Sequence, residues 1–175
     1  GALPAKTSIP IALTETKAGA IYSLSDQTDF TFTLASNQGV VINFSPSSQT
    51  AKYHLSLLDS ANAVIDQIDC LNQASVSLAA AYAAGNYTLR VTPVDVIDAG
   101  SSFSVQLAAS TIQREQEPNN TTAQASTLDI AQSVTGRLSS NSDIDYYTFT
   151  LSDTRYLDMT FAAPGSTKSF SIALY

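Results

Sequence analysis

The feature that most constrains the fold of this chain is a series of short segments in which apolar and polar residues alternate. Side chains that alternate with a period of two lie on opposite faces of a β-strand, so each segment predicts a strand with one buried face. Turn-forming residues such as Gly39 and Gly85 separate the segments. The segments cover residues 20–24, 30–34, 40–44, 53–57, 63–68, 74–78, 87–91 and 103–107. This pattern predicts an all-β protein, with an antiparallel two-layer sandwich over residues 1–110.

One stretch between these segments departs from the alternation. Residues 79–84 are rich in alanine and precede a glycine. Six residues are too few to form a stable helix alone. We therefore predict a loop or a single turn at this point.

The chain also resembles itself. A shift of 117 positions places residues 30–58 on residues 147–175 without a gap, and the two-residue alternation stays in register. Phe44 then falls on Phe161, and residues 53, 55 and 57 (Tyr, Leu, Leu) fall on residues 170, 172 and 174 (Phe, Ile, Leu). The self-similarity predicts two copies of one module.

The repeat sets the expected domain boundaries. We predict a complete β-sandwich module over residues 1–111, a charged, Pro-containing linker over residues 112–120, and a partial second module over residues 121–175. The second copy would lack the strands equivalent to residues 59–110. Its apolar face would then be covered by the first copy, by a missing partner segment, or by strand exchange in a homodimer.

Charge excludes several classes of function. The net charge is −7, the pI is about 4.3, and no cluster of Lys or Arg occurs. A nucleic-acid partner is therefore not expected, and anionic membrane surfaces are disfavoured. No apolar run is long enough for a membrane helix, so membrane insertion is not expected. The single cysteine, Cys70, excludes an intrachain disulfide.

Two sets of residues resemble a known family. The run Glu117-Pro118-Asn119-Asn120, followed by Asp143-Ile144-Asp145-Tyr146-Tyr147-Thr148-Phe149, resembles the bacterial pre-peptidase C-terminal domain. Residues 84–91 of the first copy resemble its Ala-Gly-x-Tyr-x-Leu-x-Val strand. The collagen-binding domain of bacterial collagenases looks like a relative. The resemblance implies a jelly-roll-like antiparallel β-sandwich in a secreted or surface-attached bacterial protein, with neighbouring domains in a larger chain.

The resemblance also implies a calcium site. In the collagenase relatives, calcium is held by acidic and Asn residues of the linker and by an Asp pair. Ser142 stands where those relatives have one Asp of the pair, so the adjacent Asp143 is either its replacement or a residue outside the site. The candidate ligands carried over to this chain are Glu115, Glu117, Asn119, Asn120, Asp143 and Asp145.

Calcium takes six to eight oxygen ligands, so this set of side chains is chemically suitable. The alternative is that the two glutamates are solvated linker charges and that the Asn pair caps a short helical turn beginning at Thr121. In the first copy, Asp26 and Asp29 lack equivalent linker ligands, and we expect that copy to be free of metal.

No motif for catalysis is present in the sequence. The only histidine, His54, lies in an alternating strand and faces away from its apolar side, together with Ser56. Cys70 is more typical of a small apolar filler or a loop thiol than of a nucleophile. A glycoside hydrolase using carboxylate pairs would need an aromatic cleft, and the chain has no Trp.

Three functions remain open from the sequence. The first is a non-catalytic accessory module that binds an extracellular polymer, protein or surface. The second is a structural module, either a spacer that assists the maturation of an exported enzyme or a protein-interaction repeat of the cell surface. The third, a hydrolase, is disfavoured by the residues present.

Overall fold

The computed structural model describes residues 6–95, 101–163, 165 and 169–175. Nine strands form the first part of the chain, and each of the eight predicted segments overlaps one of them. They are β1 (Lys6–Pro10), β2 (Thr16–Ile21), β3 (Gln27–Leu34), β4 (Gln38–Pro46), β5 (Lys52–Leu58), β6 (Val64–Leu71), β7 (Val76–Tyr82), β8 (Gly85–Pro93) and β9 (Ser101–Ala109). The sequence did not predict β1, because its side chains are mostly exposed and lack the alternation of a buried strand.

The strands form the two layers of a β-sandwich. The first sheet has the order β1-β3-β8-β5-β6. The second sheet has the order β10-β7-β4-β9-β2, in which β10 (Gln116–Glu117) comes from the linker. The all-β sandwich predicted from the sequence is therefore confirmed.

The sheets are mixed rather than purely antiparallel. β1 runs parallel to β3, and β10 runs parallel to β7, whereas the other neighbours in both sheets are antiparallel. Parallel neighbours require a connection that crosses over. Between β1 and β3 the chain crosses to the second sheet as β2, so it re-enters the first sheet in its original direction.

Aromatic rings from both sheets meet at one end of the core. Phe44 and Phe103 of the second sheet have ring centroids 5.0 Å apart, and Tyr53 of the first sheet lies 5.1 Å and 5.3 Å from them. Phe30 completes the group at 6.1 Å from Phe103. Gly19 permits this packing, because a Cβ there would lie 2.6 Å from the Phe103 ring.

The Ala-rich stretch is part of a strand, so the predicted loop or turn was wrong. β7 continues to Tyr82, and Leu78, Ala80 and Tyr82 are buried. The period-two alternation therefore persists through the alanines, and strand pairing on both sides of β7 overrides their weak strand propensity.

The chain after residue 110 contains little regular structure. A 3₁₀ helix covers Thr122–Gln124, and two short strands, β11 (Ser126–Thr127) and β12 (Tyr147–Thr148), pair in parallel. Beyond β12, none of the described residues lies in a strand, and Phe161, Phe170 and Ile172 are exposed. None of the helices in the described ranges has the length and apolarity needed to span a membrane.

Local geometry in this later region recurs at the same offset of 117 residues that the sequence shows. Ile9 pairs with Phe30 in the first sandwich, and Ser126 pairs with Tyr147 in the same parallel sense. Thr14 and Ala131, which are 117 residues apart, both have positive φ angles. The hydrogen bond from Tyr22 N to Asp26 recurs as the one from Ser139 N to Asp143. The hydrogen bond from Ile11 N to Thr31 O recurs as the one from Leu128 N to Thr148 O.

Candidate metal centre

The linker strand places two glutamates on one buried face. β10 lies beside β7, with Glu117 opposite Tyr82, and Ala81 N donates a hydrogen bond of 2.7 Å to Glu115 O. Because Glu115 and Glu117 are two residues apart in extended chain, both side chains project to the same side. They are only 1% and 4% exposed, whereas Gln116 between them is exposed.

Three carboxylates converge at this face. One oxygen from each of Glu115, Glu117 and Asp145 lies within 4.8 Å of the others. Asp145 precedes β12 by two residues, and the adjacent Tyr146 N donates a hydrogen bond of 3.0 Å to Asn119 O, which holds this segment beside the linker. Three like charges at this separation, largely removed from water, require a compensating positive charge.

Asn119 supplies a further oxygen to the cluster. Its side chain is 0% exposed, its backbone N donates to Glu117 Oε2 at 3.2 Å, and its Nδ2 donates to Glu115 Oε2 at 3.3 Å. With both nitrogens bound to the carboxylates, Asn119 Oδ1 has no hydrogen-bond partner, and neither does Asp145 Oδ1. Buried acceptors without donors are rare in proteins, and a cation would satisfy both.

The remaining neighbours of Glu115 close the site. The Tyr147 hydroxyl and the Arg137 backbone N both donate hydrogen bonds to its carboxylate. Gly136 lies so close that a Cβ at this position would overlap Glu115 Oε2. Glycine is therefore required here by close approach to the acidic cluster.

The carboxylates of the acidic cluster have too little positive charge nearby to balance them. Burial, followed by the charges of Glu115, Asp66, Asp143 and Asp145, raises the pKa of Glu117 to about 8. Burial and the neighbouring Glu115 also raise the pKa of Asp145. The positive charge of Arg137 offsets only part of this rise. In the absence of a cation, the cluster therefore retains protons at neutral pH.

The structure separates the six predicted ligands into two groups. Glu115, Glu117, Asn119 and Asp145 lie together. Asp143 has its Oδ2 engaged by Ser139 N at 2.5 Å in a turn, and Asn120 is exposed at the edge of an adjacent groove. The Asn pair does not cap the 3₁₀ helix, because Thr121 stands at its N-cap position and makes no capping bond with its side chain.

Sequence reasoning did not identify Arg137, Tyr147 or Asp66 as neighbours of the site. Tyr147 lies within a stretch that resembles the family, so that resemblance is a signal for it. No sequence signal connects Asp66 with the linker, because the two meet only when β6 and β7 pack in the folded sandwich.

Asp26 and Asp29 are already bound within the sandwich. Asp29 accepts two bonds from Arg90, from Nε at 2.9 Å and from Nη2 at 3.0 Å. Asp26 accepts from Tyr22 N at 3.0 Å and from Ser23 Oγ at 2.7 Å. These donors occupy the oxygens that a metal would need.

One catalytic arrangement of side chains does occur, on the outer face of the first sheet. His54 Nδ1 lies 2.6 Å from Asp69 Oδ1, and His54 Nε2 lies 3.0 Å from Ser56 Oγ. A serine hydrolase also needs backbone N–H donors for an oxyanion. β5 is paired on both sides, by β8 and β6, and the His54 and Asp69 side chains are 37% and 52% exposed on an open face. Among the described residues, the strand pairing of β5 and the open face leave no enclosed set of backbone N–H donors beside this arrangement.

Cys70 offers no alternative nucleophile. It is fully buried, and burial raises the pKa of its thiol above the ordinary value. A protonated, inaccessible thiol is not reactive. The prediction of an apolar filler agrees with this position in the core.

Comparison with solved structures places this β-sandwich in a known class of fold. The pre-peptidase C-terminal domain of collagenase from Bacillus anthracis is similar over 59% of this chain and 96% of its own, with a TM-score of 0.51 and 15% identity. The matched part of this chain therefore shares the fold of that domain, as the resemblance in sequence implied. No family model and no curated protein matches the sequence.

Other similar structures have TM-scores that are too low to establish a shared topology. The periplasmic lysozyme inhibitor PliG of Aeromonas hydrophila covers 58% of this chain and 96% of its own, with a TM-score of 0.43 and 16% identity. A carbohydrate-binding module, CBM36, in complex with calcium and xylotriose matches over 54% of this chain and 88% of its own, with a TM-score of 0.33 and 12% identity.

Proposed function

We propose that this chain is a non-catalytic accessory region of a secreted or surface-attached bacterial protein, with a calcium ion held at Glu115, Glu117, Asn119 and Asp145. The observation that carries the proposal is the fully buried Asn119 Oδ1, which has no donor and lies among three carboxylates. An acidic cluster alone would be weak evidence. A buried, unsatisfied amide oxygen in the same place indicates a missing positive partner.

The chemistry of the donors favours calcium over other metals. The cluster offers carboxylate and amide oxygens, with neither His nor Cys among its described members. Oxygen-only sites suit hard cations, whereas zinc and copper prefer nitrogen and sulfur. Magnesium keeps several waters and demands near-ideal octahedral geometry. A buried set of side chains from a linker and a loop fits the more flexible coordination of calcium.

We further propose that residues 121–175 are the beginning of a second copy of the module. The recurrence of strand pairing, turn bonds and positive φ angles at an offset of 117 supports this division. The metal ligands then belong to the start of the second copy. In the first copy the position equivalent to Asp145 is Thr28, whose hydroxyl bonds to Ala20 O and offers no carboxylate.

The accessory role has two forms, which differ in their partners. In the first, the sandwich binds an extracellular polymer or protein for a neighbouring domain of the same chain. In the second, it is a structural repeat that spaces such domains or assists their maturation. The described outer face of the first sheet carries polar residues such as Thr33 and Asn86 rather than aromatic rings. This favours the structural role, because aromatic rings dominate contact energies at binding surfaces.

Calorimetric titration of calcium into chelator-treated protein tests the metal proposal. We expect one calcium per chain, with affinity reduced at least tenfold by Glu117→Gln, because a buried carboxylate ligand is lost. Asp153→Asn is the matched control, since this carboxylate is exposed and pairs with Arg155 away from the cluster. An absence of binding heat and of any thermal shift at millimolar calcium would refute the site.

A further inference from the structure

The linker strand is bonded on both of its edges. On one side, Ala81 N of β7 donates to Glu115 O at 2.7 Å. On the other side, Glu115 N donates to Thr135 O at 3.1 Å, and Arg114 forms a parallel bridge with Thr135. We call residues 121–148 the second unit. The backbone at Glu115 therefore joins the second sheet of the sandwich to the second unit.

Within the described part of the chain, one side chain of the second unit makes a further polar connection to the sandwich. Arg137, in the second unit, extends its guanidinium to β6 of the sandwich, where Nη2 pairs with Asp66 Oδ1 and Nη1 donates to Gln67 O at 3.3 Å. Asp66 is 3% exposed, and its other oxygen accepts a bond of 2.8 Å from the Tyr82 hydroxyl. A carboxylate this deeply buried needs a partner charge, and Arg137 supplies it.

Arg137 also connects this ion pair to the acidic cluster. Its backbone N donates to the Glu115 carboxylate, while its guanidinium contacts Asp66. The backbone and the side chain of one residue thus engage the cluster and the sandwich at the same time. Any displacement of the Glu115 carboxylate acts directly on the residue that holds Asp66.

Part of the boundary between β6 and the second unit is open. A groove of about 220 Å³ separates β6, at Val64 and Ile65, from Ser140 and Asp143 of the second unit. Continuous apolar packing does not fill this space. Among the described residues, the linker strand and Arg137 supply the polar contacts that hold the second unit on the sandwich.

We propose that Arg137 transmits cation binding at the acidic cluster to the position of the second unit on the sandwich. This inference rests on the proposed calcium site. A bound cation holds Glu115, Glu117 and Asp145 together, so that Glu115 keeps the Arg137 backbone in place and its guanidinium on Asp66. Without the cation, no shared ion joins these three side chains, so the linker and the second unit move apart and this contact opens.

Hydrogen exchange on the full chain, with saturating calcium and with chelator, tests the coupling. In the wild type, calcium should slow exchange at the Glu115 and Thr135 amides several-fold, while amides of the sandwich core stay unchanged. Arg137→Gln should still bind one calcium per chain, because the Arg137 side chain is not among the proposed ligands. Its Glu115 and Thr135 amides should nevertheless exchange as in the chelated wild type.

Two further variants distinguish a specific role of the Arg137–Asp66 contact from a general loss of stability. Asp66→Asn removes the partner charge from the sandwich side and should produce the same release as Arg137→Gln. Arg155→Gln is the matched control, because Arg155 is exposed and pairs with Asp153. It should retain the full response to calcium. Circular dichroism and thermal melting report whether each variant keeps the folded sandwich.

The outcomes distinguish this inference from the calcium site itself. Wild-type protein that binds no calcium refutes the proposed function. Wild-type protein that binds calcium without slower exchange at Glu115 and Thr135 refutes the coupling alone. The coupling is also refuted if folded Arg137→Gln protein shows the full calcium-dependent protection.

Discussion

The guanidinium of Arg137 pairs with the carboxylate of Asp66, 71 residues earlier in the chain. Asp66 lies on β6 of the sandwich and is almost fully buried, whereas Arg137 lies beyond the linker. Breaking a buried ion pair by removing one partner typically costs about 3–5 kcal/mol, because a charge is left uncompensated. The Arg137–Asp66 ion pair thus holds the region after residue 110 to the sandwich.

The close approach of Gly136 to Glu115 gives a test of the metal site that changes none of its ligands. Gly136→Ala should weaken calcium binding strongly, because the added Cβ overlaps Glu115 Oε2 and must displace it. The control is Gly85→Ala, whose Cβ would meet its nearest atom, in Tyr87, at 3.8 Å. Calorimetry should show the loss only in the first variant. Equal affinities in both variants would contradict the position of Glu115 in the site.

The raised pKa of Glu117 predicts the pH dependence of the metal-free protein. This pKa is about 8 in the folded state, against an ordinary value of 4.5. The unfolded chain therefore loses this proton first, and the free energy of unfolding falls as pH rises from about 4.5 through about 8. Urea unfolding with chelator should show this decline, and Glu117→Gln should reduce it. A wild-type stability that rises over this range relative to Glu117→Gln would contradict the prediction.

Calcium should reverse the effect of pH on the same group. The ion binds the ionised carboxylate, so it competes with the proton that Glu117 retains in the metal-free state. We expect calcium affinity to increase as pH rises towards about 8, with release of protons that depends on the ionisation enthalpy of the buffer. Titrations in two buffers at each pH measure this release. An affinity independent of pH between 6 and 8 would show that Glu117 is not a ligand.

The packing of Gly19 on an aromatic ring predicts a large effect from one added methyl group. Gly19→Ala should destabilise the sandwich by about 1–3 kcal/mol, because its Cβ would lie 2.6 Å from the Phe103 ring within a packed core. Gly85→Ala again serves as the control, with an expected change within about 0.5 kcal/mol. Denaturant unfolding measures both variants. If Gly19→Ala were as stable as Gly85→Ala, the Phe103 ring would be free to move. That result would contradict its packing on Phe44 and Tyr53.

The exposed apolar residues after β12 predict self-association. Phe161 and Phe170 pack on each other at 5.4 Å, yet both are exposed, as are Ile172 and Leu174. Each such side chain gains about 1.5–3 kcal/mol on burial, so a strand-exchanged homodimer would be stabilised by covering them. Light scattering of this chain should show dimers, and Phe161→Ser with Phe170→Ser should restore monomers. A monomeric wild-type chain would exclude the exchange.

The outer face of the first sheet predicts a negative result. Ser56, His54 and Asp69 have the hydrogen-bond order of a hydrolytic triad without an enclosed oxyanion site. A fluorophosphonate probe should not label Ser56, and Ser56→Ala should leave hydrolysis of activated esters at background. Labelling that depends on both Ser56 and His54 would show that the face is catalytic.

The alternation of residues was sufficient to predict most of the strands, because the two-residue period is set by local backbone geometry. It failed where this geometry gives a weak signal. β1 has exposed side chains, and its place in the sheet comes from parallel pairing with β3. The alanines at the end of β7 have low strand propensity, and they are held by neighbours on both sides. In both cases tertiary pairing decided the structure.

For the metal site, the resemblance in sequence named the linker glutamates, Asn119 and Asp145, and the structure brings these residues together. The sequence by itself determined the all-β class, the alternating core and the short run that carries most of the proposed ligands, because these depend on residue type and local spacing. Only the tertiary structure placed Asp143 in a turn, left Asn119 Oδ1 without a donor, and set Arg137 against Asp66. Such contacts join residues far apart in the chain, and their energies depend on burial, which the complete packing of both sheets decides.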